Sequence, residues 1–281
     1  TGLHCNGSNA YFYRRSNSFK YFYLTKIRIY AGKAVCVLRN LKVTMAYRGT
    51  NYHGFQKQKN ALTVQEVVEK HLSKVLNEDT EIFGCSRTDT GVHANEYCFS
   101  VYTESSIPLR NFVRGVNGEL PDDISILACE EAPLDFHARY SCKAKEYLYK
   151  IHNSESKNPF TTDLEYHYRR PFDFELVKYA SEFFVGKHDF KSFCSINSDK
   201  INYVRTIYNI DVEIDGNLIK ILVKGDGFLY NMIRIIVGTL LWVNEDKIKA
   251  DDIPAIICAR DRKFAGKTAQ PHGLYLNRVF Y

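Results

Sequence analysis

Leu41-Lys42-Val43-Thr44-Met45-Ala46-Tyr47, then Arg48-Gly49-Thr50-Asn51-Tyr52-His53-Gly54-Phe55-Gln56, then Thr63-Val64-Gln65-Glu66: these three runs decide the fold class of this chain. In the first, large apolar residues at 41, 43, 45 and 47 alternate with smaller or polar ones, the period of a half-buried strand. The second is polar and carries two glycines, as a loop does. In the third, Glu66 follows Thr63 by three positions, the capping-box spacing that satisfies otherwise unpaired N–H groups at a helix start. Val64, Val68, Leu72, Val75 and Leu76 then share one helical stripe. The order strand, loop, helix follows.

Working outward, a polar loop from Gly84 to His93 precedes a predicted strand over residues 96–102. Leu120-Pro121-Asp122-Asp123 turns into a strand over 124–128. Residues 146–152 read as a strand with Tyr147, Tyr149 and Ile151 on one face, and 174–185 as a helix ended by Gly186. Strands at 204–214 and 218–224 are joined by Asp215-Gly216-Asn217, a strong hairpin signal. Residues 230–243 read as an amphipathic helix with Ile233, Ile236, Val237 and Leu240 toward the core. Two successive sets of strands and helices predict an α+β chain with a division near residues 135–145. The N-terminal half is 39–140 and the C-terminal half is 141–281, each a sheet covered by helices on one face.

Composition limits the function classes. The 281 residues are 45% apolar and 25% charged, ordinary for a globular protein. No apolar run approaches the ~20 residues that cross a bilayer. None of the eight cysteines stands in a C-x-x-C pair or beside a histidine at zinc-ligand spacing, so no metal is expected. Reduced, buried thiols and a cytoplasmic location are expected instead. The net charge of +6 invites a nucleic-acid reading, but seven of the 38 basic residues and none of the 32 acidic ones lie in residues 1–40. The remainder is near −1, so RNA affinity must come from local patches. Residues 1–38 also hold Tyr11-Phe12-Tyr13 and Tyr21-Phe22-Tyr23 without caps or a sustained period. They are expected to be an extension outside the folded body, with upstream translation preferred over a transit peptide.

The densest polar loop is Cys85-Ser86-Arg87-Thr88-Asp89-Thr90-Gly91-Val92-His93. On local grounds Asp and Gly there are ordinary turn residues. Arg87 through Ala94, however, closely resembles the active-site loop of the tRNA pseudouridine synthase A family. The resemblance continues in order along residues 41–281, through Tyr47–Gln56, Leu120–Ile124, Phe136–Tyr140, Gly186–Phe190, Val204–Ile207, Gly227–Arg234 and His272–Leu276. It departs at Arg48, where Asp is common, at Ser86, where Gly is usual, and at Lys145-Glu146, where Arg residues are usual.

The resemblance implies the pseudouridine synthase fold, with two related halves, a mainly antiparallel sheet covered by helices, and a central cleft. It implies isomerisation of uridine to pseudouridine at positions 38–40 of tRNA by a cytoplasmic homodimer. That reaction breaks the C1′–N1 bond, turns the uracil and rejoins it through C5. No redox step occurs, so neither metal nor cofactor is chemically required. Asp89 is implied to be the catalytic carboxylate, acting either by covalent attack on C1′ or through a glycal-type intermediate. Arg234 is implied as its cationic partner and Tyr147 as the ring that stacks on the target uracil. Arg87, His93, Arg205 and Leu274 are the expected RNA-binding residues, with His53 and His93 read chiefly as loop braces.

Overall fold

The computed structural model describes residues 37–195 and 202–281; the expectation for residues 1–38 falls, up to residue 36, outside them. The alternating run becomes β1 (Arg39–Tyr47), with Leu41, Val43, Met45 and Tyr47 buried and the residues between them half-buried. The capping spacing becomes the start of α1 (Val64–Leu76), where the Thr63 hydroxyl accepts the Glu66 N–H at 3.4 Å. After α1 come β2 (Ile82–Gly84), β3 (His93–Thr103), α2 (Leu109–Asn117) and β4 (Ile124–Ala132). The second half runs β5 (Ala144–Asn153), β6 (Tyr166–Tyr168), α3 (Phe174–Glu182), β7 (Gly186–Asp189), β8 (Val204–Asp215), β9 (Leu218–Gly225), α4 (Met232–Asn244), α5 (Ile253–Ala259) and β10 (Leu274–Phe280).

The fold is α+β around one mainly antiparallel sheet. Among the described residues its order is β4-β1-β3-β10-β5-β9-β8-β7, with β2 paired to β3 and β6 to β5. Residues 39–140 supply β1 to β4 and residues 141–281 the rest, and the final strand joins them. β10 pairs parallel to β3 through Tyr275↔His93 and Leu276↔Ala94, and antiparallel to β5 from Leu274↔Tyr149 onward. The loop before β3, the start of β10 and the middle of β5, around Tyr147 and Tyr149, therefore meet at the centre of the sheet.

Three local expectations change. The helix expected to reach residue 185 stops at Glu182, and Gly186, at φ +111°, opens β7 instead of capping a helix. β3 begins at His93, so the end of the polar motif is already strand. α4 is not amphipathic: Ile235, Gly238, Thr239 and Leu241 are buried as fully as the expected core stripe. Its outer side is covered by α3 and by the strap 265–270. Thr239 accepts the Gly266 N–H at 2.9 Å, and Ala269 donates its N–H to the Arg234 carbonyl at 2.9 Å.

Gly238 makes that strap possible, because a Cβ there would stand 1.7 Å from the Lys267 carbonyl oxygen. Gly238→Ala is expected to destabilise the protein by about 1–3 kcal/mol, since backbone must move on one side. Gly115→Ala, in the interior of α2 with 3.4 Å of clearance to Val75, is expected to be neutral or stabilising. Equal denaturant midpoints for the two variants would contradict this account of the strap.

Candidate active site

The loop 85–92 is fastened along its length. The Cys85 N–H donates to Cys98 O at 2.9 Å, and Lys145 Nζ donates to Cys85 O at 2.7 Å. The buried Tyr97 hydroxyl donates to the Ser86 carbonyl, and the Tyr47 and Thr88 hydroxyls share a 2.8 Å hydrogen bond. The loop 48–56 is packed against it: Phe55 N–H donates to Thr88 O at 3.2 Å and Gly91 N–H to Tyr52 O at 3.3 Å. Gly54, at φ +86°, lets the Thr88 carbonyl come within 2.7 Å of where a Cβ would sit. The first motif of the chain is thus the mould of the Asp89 loop.

Asp89 emerges with its side chain 24% exposed. Its Oδ2 lies 3.4 Å from Nη1 of Arg234, on the first turn of α4. Arg234 is itself held by the Ala269 carbonyl through Nε (2.8 Å) and by Asn231 Oδ1 through Nη1 (2.7 Å). Burial pushes the Asp89 carboxyl above the ordinary carboxylate range, and the Arg234 charge and hydrogen bond pull against it. Across the cleft, Tyr147 of β5 is buried, with its ring edge-on to Phe228 at 5.2 Å and its hydroxyl 3.1 Å from Ser86 Oγ. Burial raises that phenol, so it stays protonated. Ser86, where the resembled family has glycine, is outside the left-handed region and puts its hydroxyl on Tyr147.

Arg87, Asp89, Tyr147 and Leu274 line one open cavity of ≈ 590 Å³, with Arg234 directly behind Asp89. Two expected RNA contacts are placed elsewhere. His93 is fully buried, stacked on Tyr275 at 4.7 Å. Its Nδ1 accepts the Gly49 N–H at 2.9 Å, which puts the proton on Nε2, donated to His272 O at 3.1 Å. Burial keeps this ring neutral, its pKa lowered to about 4. It fastens loops and does not face the cleft. Arg205, on β8, folds its guanidinium onto the carbonyls of Asn202 and Val204, beside Gly227, and does not itself line the cavity.

Three lining residues were not singled out by sequence reasoning as binding groups, Arg139, Phe228 and Tyr230, whereas Lys145 was noted as a departure at a phosphate-contact position. Arg139, Phe228 and Tyr230 sit in motifs quoted above, but periodicity gives no sign that they converge. Among the described residues no three His, Cys, Asp or Glu side chains gather as a metal-ligand set. No helix among them is long and apolar enough to cross a membrane.

A family model described as tRNA pseudouridine synthase matches residues 43–141 and 180–281. The chain belongs to the tRNA pseudouridine synthase family. It is 46% identical over 244 residues to the tRNA pseudouridine synthase A of Acetivibrio thermocellus, covering 87% of this chain and all of that one. To tRNA pseudouridine synthase A 2 of Clostridium perfringens it is 47% identical over the same length and shares. A solved Cbf5-Nop10-Gar1 complex contains a chain similar over 84% of this chain and 48% of its own, at 15% identity and a TM-score of 0.37. The synthase is thus an isomerase that acts on tRNA. The cleft carries the exposed Arg87 and Arg139 beside Lys145, with Phe228 and Tyr230 also in its lining.

Proposed function

We propose that this synthase isomerises uridines at positions 38 to 40, in the anticodon stem-loop of tRNA, as a cytoplasmic homodimer, with Asp89 as the reacting carboxylate. The observation that carries the reading is the Asp89–Arg234 pair at the floor of a cleft whose other wall is Tyr147. The target nucleotide leaves its stack at a cost of a few kcal/mol. Arg87 fills the vacated space, a reading supported by its exposure on the Asp89 loop. The uracil enters between Tyr147 and Leu274, where stacking on an aromatic ring contributes roughly 1–3 kcal/mol.

Asp89 as an anion then acts at C1′, whether by covalent attack or by promoting a glycal-type intermediate. In either route the C1′–N1 bond breaks and the uracil turns against Tyr147. C1′ then bonds to C5 as the Asp89–C1′ bond breaks (covalent route) or as the proton that Asp89 took from C2′ returns (glycal route), and the C5 hydrogen leaves as a proton while N1 gains one. Both routes require the carboxylate to be ionised in a partly dry site, which is the service Arg234 performs.

The measurement is tritium release from tRNA carrying 5-tritiated uridine, joined to pseudouridine mapping in tRNA from a strain lacking the gene. Loss of pseudouridine confined to positions 38 to 40, restored by the purified protein, is the expected result. Pseudouridine persisting at those positions in that strain would overturn the assignment of the target.

A further inference from the structure

We infer that Asn231, held in turn by Ser195, is a positioning residue that fixes the guanidinium of Arg234 beside Asp89. The inference rests on the reading of Asp89 as the reacting carboxylate. Asn231 directly precedes α4 with φ +60° and ψ 8°, a left-handed conformation that costs most side chains energy and that Asn tolerates better than most. An Asn at a helix start ordinarily turns its side-chain oxygen onto the free N–H groups of the first turn. Asn231 makes no such bond. Its Oδ1 accepts Arg234 Nη1 at 2.7 Å, and its Nδ2 donates to Ser195 Oγ at 2.8 Å.

A guanidinium only donates, so the amide oxygen must face Arg234 and the amide nitrogen must face Ser195. The Ser195 N–H donates to the Tyr230 carbonyl at 3.2 Å, tying the same two segments a second time. Of the three contacts on Arg234, the one to Asp89 is the longest, at 3.4 Å against 2.7 and 2.8 Å. The position of the positive charge is therefore set by Asn231 and the Ala269 carbonyl more than by the carboxylate it serves. The groups facing Asp89 are Arg234 from α4 and Tyr147 from β5, with Arg87, Arg139 and Lys145 around the cleft. His272 lies within reach of the Arg234 charge. Arg234 supplies the hydrogen bond, so loosening it acts on the carboxylate directly.

Asn231→Gly keeps the left-handed backbone and removes the amide. The expected result is an acid limb of kcat/KM for tRNA moved upward by about half a pH unit, a roughly threefold loss on that limb, with KM nearly unchanged. Asn231→Asp retains the acceptor but adds negative charge near Asp89, and its limb is expected to move further. Ser195→Ala frees the amide and is expected to move the limb the same way by less. Acid limbs of Asn231→Gly and Ser195→Ala that superimpose on the parent's would overturn the inference. If Asn231→Gly does not fold, the Ser195→Ala limb decides by the same criterion. Asp89→Asn, run in parallel, separates the two readings. If it stays active, the catalytic reading fails; if it is inactive while the limbs stay put, this inference alone fails.

Discussion

Asp89→Asn is expected to lower pseudouridine formation by about four orders of magnitude or more while leaving tRNA affinity within a few-fold of the parent's. The substitution keeps size and shape and removes only the negative charge, so nothing remains to attack C1′ or to stabilise positive charge there. The loop should not move. Its anchors are the Ser86 and Thr88 carbonyls, the Thr88 hydroxyl and the Lys145 contact to Cys85, none of which uses the Asp89 carboxylate. Arg234 keeps Asn231 and Ala269.

Stability supplies a second signature. Burial raises the Asp89 pKa in the folded protein, so its contribution to stability is present below the unfolded pKa and is lost as pH rises through the folded one. At pH 7 the ionised carboxylate opposes folding, and the Asn variant is expected to melt no lower than the parent. A dead variant with unchanged or raised Tm is a catalytic lesion. Tritium release at the parent rate would end Asp89's candidacy.

How much of this was readable beforehand differs by element. β1, α1 and the β8–β9 hairpin were legible because each is written in local chemistry: an alternation, a capping spacing, an Asp-Gly-Asn turn. The centre of the sheet was not. β10 is placed by its pairing with β3, some 180 positions away, and nothing within residues 274–280 announces a parallel neighbour. The helix 232–244 was misread as amphipathic because the strap over its outer side depends on Gly238 and Gly266 meeting at backbone distance. The same limit holds at the site. Asp89 alone is an ordinary loop carboxylate, and its pairing with Arg234 spans 145 positions. His93, inside the most distinctive motif, is the first residue of β3 and is buried between Gly49 and His272, so it braces loops and does not reach the cleft.

For Arg234→Ala the expectation is a loss of roughly 10²–10³-fold in kcat/KM together with an acid limb displaced to higher pH. Two opposed effects act on Asp89, burial raising its pKa and Arg234 lowering it. Deleting the second leaves the first unbalanced, so a larger fraction of the enzyme carries a protonated, unreactive Asp89 at any given pH on that limb. The rate should therefore recover partly as pH is raised, which a merely misfolded protein would not do. Arg234→Lys discriminates charge from geometry. An ammonium lacks the planar fork, so it cannot hold the Ala269 carbonyl, Asn231 and Asp89 together as the guanidinium does. If position matters as well as charge, the Lys variant should lie well below the parent and above Ala, with its limb between theirs. A pH–rate profile of Arg234→Ala that scales uniformly with the parent's, without displacement, would mean that Arg234 does not tune Asp89 and that the 3.4 Å contact is incidental to the chemistry.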